Sequence, residues 1–147
     1  MTKTAITKLE AARALLDCSL ELLLDRGDYV SAIVLAGSAE DVMQGLLVAR
    51  GVVGARAQLI EPAKRLLKAN DPDAAVPSDS RFHSFIREVF NWLRHNDREG
   101  EPQAITVDLQ NEAIMCAMRA MDNFWSLTQS HHPREQELLR FERGHRP

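Results

Sequence analysis

Aromatic side chains are scarce, at 5% of 147 residues. A core without them must be aliphatic, built from Leu, Ala, Val, Ile and Met, which suits helices better than sheets. Cysteine is nearly absent. Cys18 and Cys116 each sit inside a long apolar-periodic run, so no disulfide scaffold is expected, only two buried thiols in a reducing compartment. Nothing near either in sequence would activate a thiolate. The histidines His83, His95, His131 and His132 lack a ligand spacing such as HExxH, and there is no glycine-rich phosphate loop or dinucleotide fingerprint. No metal or cofactor is therefore expected. Neither sign of charge dominates: 18 basic residues against 21 acidic ones leave −3, which argues against broad attraction to nucleic acid but leaves room for a local basic patch. No apolar stretch approaches the roughly 20 residues a bilayer span needs. The N-terminus MTKTAITKLE is polar and then amphipathic, not the pattern of a signal peptide. A cytoplasmic location without membrane attachment is the expectation. Repeats, low-complexity tracts and interdomain linkers are lacking too.

What remains is helical periodicity. Leu9, Leu16, Leu20 and Leu23 recur at helical spacing after Thr4 or Thr7 as cap, predicting a first helix to about Asp25. Gly27 suits a left-handed stop and Asp28 the next N-cap, so the first two helices should be antiparallel neighbours. The second helix is expected over about Tyr29–Arg50. Glycine inside a helix costs about 1 kcal/mol relative to alanine, so Gly37 and Gly45 suggest close approach by another backbone. Glu40 and Asp41 follow in otherwise apolar surroundings. Either they lie at the edge of the stripe facing water, or Glu40 points inward and pairs with an arginine or histidine of the 81–98 helix, since a buried carboxylate without a partner is too costly. A third helix is expected over roughly Ala55–Ala69, with Pro62 kinking it or starting its better half. NDPDAAVPSD, residues 70–79, reads as a loop.

Residues 80–99, SRFHSFIREVFNWLRHNDRE, read as one helix. Phe82, Ile86, Val89 and Leu93 form its apolar stripe, while His83, Arg87, Asn91, Arg94 and Arg98 recur on another face. His95 follows Asn91 by four positions, so the two are surface neighbours. The arginines can form a solvated face paired with Glu88, Asp97 and Glu99, or contact phosphate. Asp108 opens a last long helix to about Gln129, with Ile114, Ala117, Met118, Met121 and Trp125 as its stripe. Trp92 and Trp125 read as core or interface anchors. The expected architecture is all-α, an up-and-down bundle of four to five helices over residues 1–130, with a partly helical or frayed tail over 131–147.

The succession LLDCSLELLLDRGDY, SAIVLAGSAEDVM, NWLRH and RAMDNFWSL, spanning about Leu9 to Leu127, resembles the HEPN superfamily of compact helical bundles. It is most like members with an LAGAAEE second helix and an RNxLKH fourth helix. The resemblance implies a dimer and, in many relatives, a metal-independent ribonuclease whose motif is an arginine, four to six residues, then a histidine. In such chemistry the histidine moves the 2′-hydroxyl or leaving-group proton and the arginine stabilises the phosphoryl oxygens. Asn91 and His95 match the polar positions after that arginine, but Phe90 occupies the arginine position itself. Arg87 stands one turn earlier, with seven residues between it and His95, outside the family spacing.

The expected function is therefore a HEPN-like interaction or ligand/RNA-binding module that does not cut, with Arg94, Arg98, His83 and Glu40 as candidate binding residues. The resemblance implies a toxin–antitoxin or defence setting beside a nucleotidyltransferase or antitoxin partner. The alternative is a metal-independent endoribonuclease using His95 and Asn91 with the displaced Arg87. A homodimer is expected because Phe82, Phe85, Phe90 and Trp92 offer more aromatic surface than one small bundle readily buries.

Overall fold

The computed structural model describes residues 3–95, 100 and 102–144, and the described residues contain helices and no strand. Helix α1 spans Lys8–Glu21, α2 Tyr29–Ala49, α3 Ala55–Asn70, α4 Asp79–Ile86, α5 Glu88–Arg94, α6 Leu109–Thr128 and α7 Glu135–Gly144. These seven exceed the expected four to five because the stretch from Ser80 is broken in two and because α7 forms beyond residue 130.

Local chemistry explains most boundaries. Thr7 and Glu10 close a capping box on α1. The helix then widens into a π-turn over Leu22–Arg26 and stops at Gly27, whose φ of 65° is the left-handed stop foreseen for it. Asp28 accepts from the Ser31 N–H at 3.1 Å and starts α2. Asp108 caps α6 through the Asn111 N–H at 3.0 Å. Pro62 sits inside α3 without ending it.

The core is a three-helix layer. α2 lies between α1 and α6, and small side chains let the axes come close: Ala32, Ala36 and Ala39 of α2 and Ala113, Ala117 and Ala120 of α6 are fully buried. Leu16 and Leu20 of α1 and Met43 and Leu47 of α2 fill the space around them. Ser19 donates to the Ala32 carbonyl at 2.8 Å, tying α1 to α2 within the core. One expectation is corrected here. α2 has 21 residues and a mean hydropathy of 1.4 over its most apolar window, so by length and composition it is long and apolar enough to cross a bilayer. In the fold α1 and α6 pack along it, and it carries two ion-paired carboxylates.

The break in the stretch from Ser80 falls at Arg87, with φ −110° and ψ 15°, where the α4 ladder ends in a tight turn to Ser84 and a new ladder starts from the Arg87 carbonyl to the Asn91 N–H. Neither glycine nor proline marks it. Packing does: the turn drives Phe90 into the core, where its ring lies so close to Gly37 that an added β-carbon there would stand 2.2 Å from Phe90 Cδ2. The close approach expected at Gly37 is thus to an aromatic ring rather than a backbone, while Gly45 has open space around it.

The segment after residue 130 folds back onto the bundle. Leu138 is buried at 1% exposure. His132 bonds Asp17 of α1 at 2.6 Å through Nε2, while its Nδ1 accepts from the Arg134 N–H at 3.1 Å. Arg134 in turn clasps Asp25 and Glu137. Cys116 is buried, and burial pushes its thiol up to about 11. Cys18, expected to be buried, is exposed instead, because it lies on the side of α1 turned away from α2 and α6.

Candidate functional site

Glu40 and Asp41 are consecutive on a helix and so point about 100° apart. One enters the core and the other reaches the rim. Glu40 is 1% exposed and meets two guanidiniums: Arg56 Nε of α3 lies 2.9 Å from Oε1, close but poorly aligned, and Arg119 Nε of α6 donates to Oε2 at 3.2 Å. Arg119 also donates to Cys116 Sγ at 3.3 Å. Asn123 completes the floor, accepting from the Ala55 N–H at 2.8 Å and so anchoring the start of α3. The inward alternative for Glu40 is the one the fold adopts, but its partners come from α3 and α6 rather than from the 81–98 stretch.

Asp41 is the hub of the rim. Its Oδ1 accepts from Arg56 at 3.2 Å, and its Oδ2 accepts from Arg87 and, at 3.4 Å, from Arg94. Arg87 and Arg94 therefore pair with Asp41 rather than with Glu88, as one alternative had it. These two members of the arginine face fold over the bundle onto α2. Both also stack on Phe90, with Arg87 Cζ 4.7 Å and Arg94 Cζ 5.1 Å from the ring centroid. Burial first, and then the nearby Arg56 charge, pull the Arg87 guanidinium below its ordinary value. Its Nε is buried without a hydrogen-bond partner among the described residues.

Four guanidiniums, Arg56, Arg87, Arg94 and Arg119, thus surround two carboxylates at ion-pair distance. Among the described residues the surplus is two positive charges. It emerges at Arg94, whose side chain is 44% exposed. Asn91 lies within α5 one turn after Arg87, and His95 is its C-cap, with the His95 N–H bonded to the Asn91 carbonyl at 3.0 Å where the helix ends. Both side chains are half-buried. His83 is half-buried near the end of α4. Arg98 lies outside the described residues, as do Asp97 and Glu99.

The structure thus brings together Arg87, Arg94 and, through Arg56, Glu40. Sequence reasoning missed Asp41 as the hub, and Arg56, Arg119 and Asn123 altogether. One signal was available: Arg119 interrupts an otherwise apolar stripe between Met118 and Ala120, and a guanidinium in such a stripe needs a buried carboxylate. Compared with protein-family models, curated proteins and solved structures, the chain matches none.

Proposed function

We propose that this chain is a HEPN-like helical bundle that binds an anionic ligand, RNA foremost, without cutting it. The observation that carries this reading is the fate of the position where the family motif has its arginine. Phe90 stands there, 2% exposed and packed on Gly37. The nearest substitute, Arg87, already spends its charge on Asp41 and its face on the Phe90 ring. A guanidinium held in this way does not approach a phosphoryl oxygen unless Asp41 lets it go, so His95 lacks the partner that phosphodiester cleavage requires. Binding asks for less. The two surplus charges and the exposed Arg94 attract phosphate, and among the described residues only one nitrogen of Arg94 is engaged, with Asp41.

The test uses total RNA in metal-free buffer with wild type and His95→Ala, run on a gel, together with anisotropy of a fluorescent single-stranded RNA. The expected result is intact RNA with both proteins and saturable, salt-sensitive binding. Arg94→Ala should weaken that binding and lower its salt slope by about one. Cleavage by wild type that disappears in His95→Ala would overturn the reading in favour of the ribonuclease. Absence of binding at low salt would overturn the RNA assignment.

A further inference from the structure

Of the four aromatic side chains expected to share one exposed surface, Phe90 is in the core and Trp92 donates its Nε1–H to the Pro102 carbonyl at 2.8 Å. The two that remain, Phe82 and Phe85 of α4, line a cavity of about 440 Å³ between α4 and α3. Small-molecule sites occupy about 300–1,000 Å³. Ala63, Leu66 and Leu67 of α3 and Pro77 of the connecting loop complete its walls. Leu66 and Phe85 are 64% and 74% exposed and stand at the mouth. Ala63, Leu67, Pro77 and Phe82 are half-buried and form the floor.

Two polar side chains border this cavity, Arg81 and Asn70. Among the described residues Arg81 is the one charged group that lines it, and no carboxylate pairs with its guanidinium. The nearest acid in sequence is already taken. Lys64 of α3 reaches Asp79 in the first turn of α4 at 2.6 Å and Glu61 at 3.0 Å. That bridge holds the two walls together and leaves Arg81 as the unmatched cation. The other charges of these helices, Arg65, Lys68 and His83 among them, do not line the cavity.

The walls select by what they cannot satisfy. They offer no carboxylate, so a cationic group would meet Arg81 and no counter-ion. They offer a single amide, at Asn70, so a peptide backbone or a sugar would leave donors and acceptors unpaired against hydrocarbon. A neutral hydrocarbon would fill the floor and leave the guanidinium unmatched. An apolar body ending in one carboxylate meets both demands: its chain displaces water from Leu67 and Phe82, and its two oxygens fit the guanidinium fork.

We propose that the α3–α4 cavity is a binding site for a small apolar carboxylate of the medium-chain fatty-acid class. Arg81 holds the carboxylate, and the side chains of α3 and α4 hold the hydrocarbon. The site is separate from the arginine cluster, since neither Asp41 nor Arg94 lines it, and this inference and the RNA reading can each fail without the other.

The experiment is isothermal titration of the full chain with octanoate, octanol and octylammonium, which share one hydrocarbon chain and differ in the head group, each below its micelle-forming concentration. Octanoate is expected to bind saturably, one per chain. Octanol should bind about tenfold more weakly, the size of a lost charge-assisted hydrogen bond, and octylammonium more weakly still. Arg81→Gln should bring octanoate down to the octanol value with an unchanged helical circular dichroism spectrum, because Arg81 is exposed. Ala63→Phe fills the floor and should remove binding of both. Phe85→Ser, at the exposed mouth, should weaken octanoate and octanol alike without disturbing the fold. No saturable binding of octanoate overturns the proposal. Equal affinity for octanoate and octanol, or octanoate binding indifferent to Arg81→Gln, overturns the anion contact and with it the ligand class. Octanoate binding unchanged in both Ala63→Phe and Phe85→Ser overturns the location.

Discussion

Two ion-paired knots hold this bundle together, and they are built from the same chemistry in different surroundings. At the Glu40–Asp41 step, four arginines converge from α3, the α4–α5 junction, α5 and α6. At the other knot, Arg134 grips Asp25 and Glu137 with bonds of 2.6 to 2.8 Å. The bonds of this second knot are shorter than those at Glu40, which stand at 2.9 and 3.2 Å, and its fork is neater. It is also wet: Asp25 and Glu137 side chains are 46% and 44% exposed, against 1% for Glu40. Distance alone would rank the clasp above the pairs at Glu40. Solvent reverses the order, because water competes for every bond at the clasp and for almost none around Glu40.

The largest effect should come from Glu40→Gln, which preserves shape and removes charge. Arg119 then remains buried without a counter-ion and Arg56 keeps only Asp41, and the loss of unfolding free energy should be about 3–5 kcal/mol. Urea titration followed by circular dichroism measures it. A loss no larger than that of Arg134→Ala would break the comparison.

Next comes Gly37→Ala. The new methyl group meets the Phe90 ring, which Arg87 and Arg94 flank, so relief requires moving the ring against the rim of the cluster. The cost should be about 1–3 kcal/mol, and Phe90→Leu in the same chain should recover part of it. Additive losses in that double-mutant cycle would show that the ring is not the obstacle.

The smallest effect is at the clasp. Arg134→Ala should shift the melting temperature only slightly at neutral pH, and the difference from wild type should shrink further in molar salt, where screening acts within a few ångströms. Its pH dependence has a definite sign. The hydrogen bonds from Arg134 hold the Asp25 and Glu137 carboxyls below their ordinary 3.8 and 4.5. Groups depressed on folding add stability above their unfolded values and lose it as pH falls through the folded ones. The gap between wild type and Arg134→Ala should thus be full above pH 4.5 and close below it. Melting curves at stepped pH would show whether it closes there.

Much of the fold was legible because periodicity and capping are local. The turn at Gly27–Asp28, the N-cap at Asp108 and the loop before α4 all follow from a few adjacent residues. The break at Arg87 was not, since every residue from Phe82 to Leu93 fits one continuous helix, and only the cavity at Gly37 decides otherwise. α2 posed a different difficulty. It is apolar nearly all round, so no face could be singled out as buried and the orientation of Glu40 stayed open. The arginines at 87 and 94 could be read as a face, but the carboxylate they answer to lies 46 and 53 positions away. Arg119 is 79 positions from Glu40. Contacts of that span leave no mark on local pattern.

Those spans bear on how the molecule assembles in time. The α1–α2 hairpin is joined by a tight turn and can form early, whereas the bonds to Glu40 and Asp41 need α3, α5 and α6 already brought back to α2. The entropy of closing those loops comes before any of the bonds can form. The cluster is therefore expected to act as a late seal: bonds that form after the barrier is crossed contribute to how slowly the finished bundle comes apart rather than to how fast it is made.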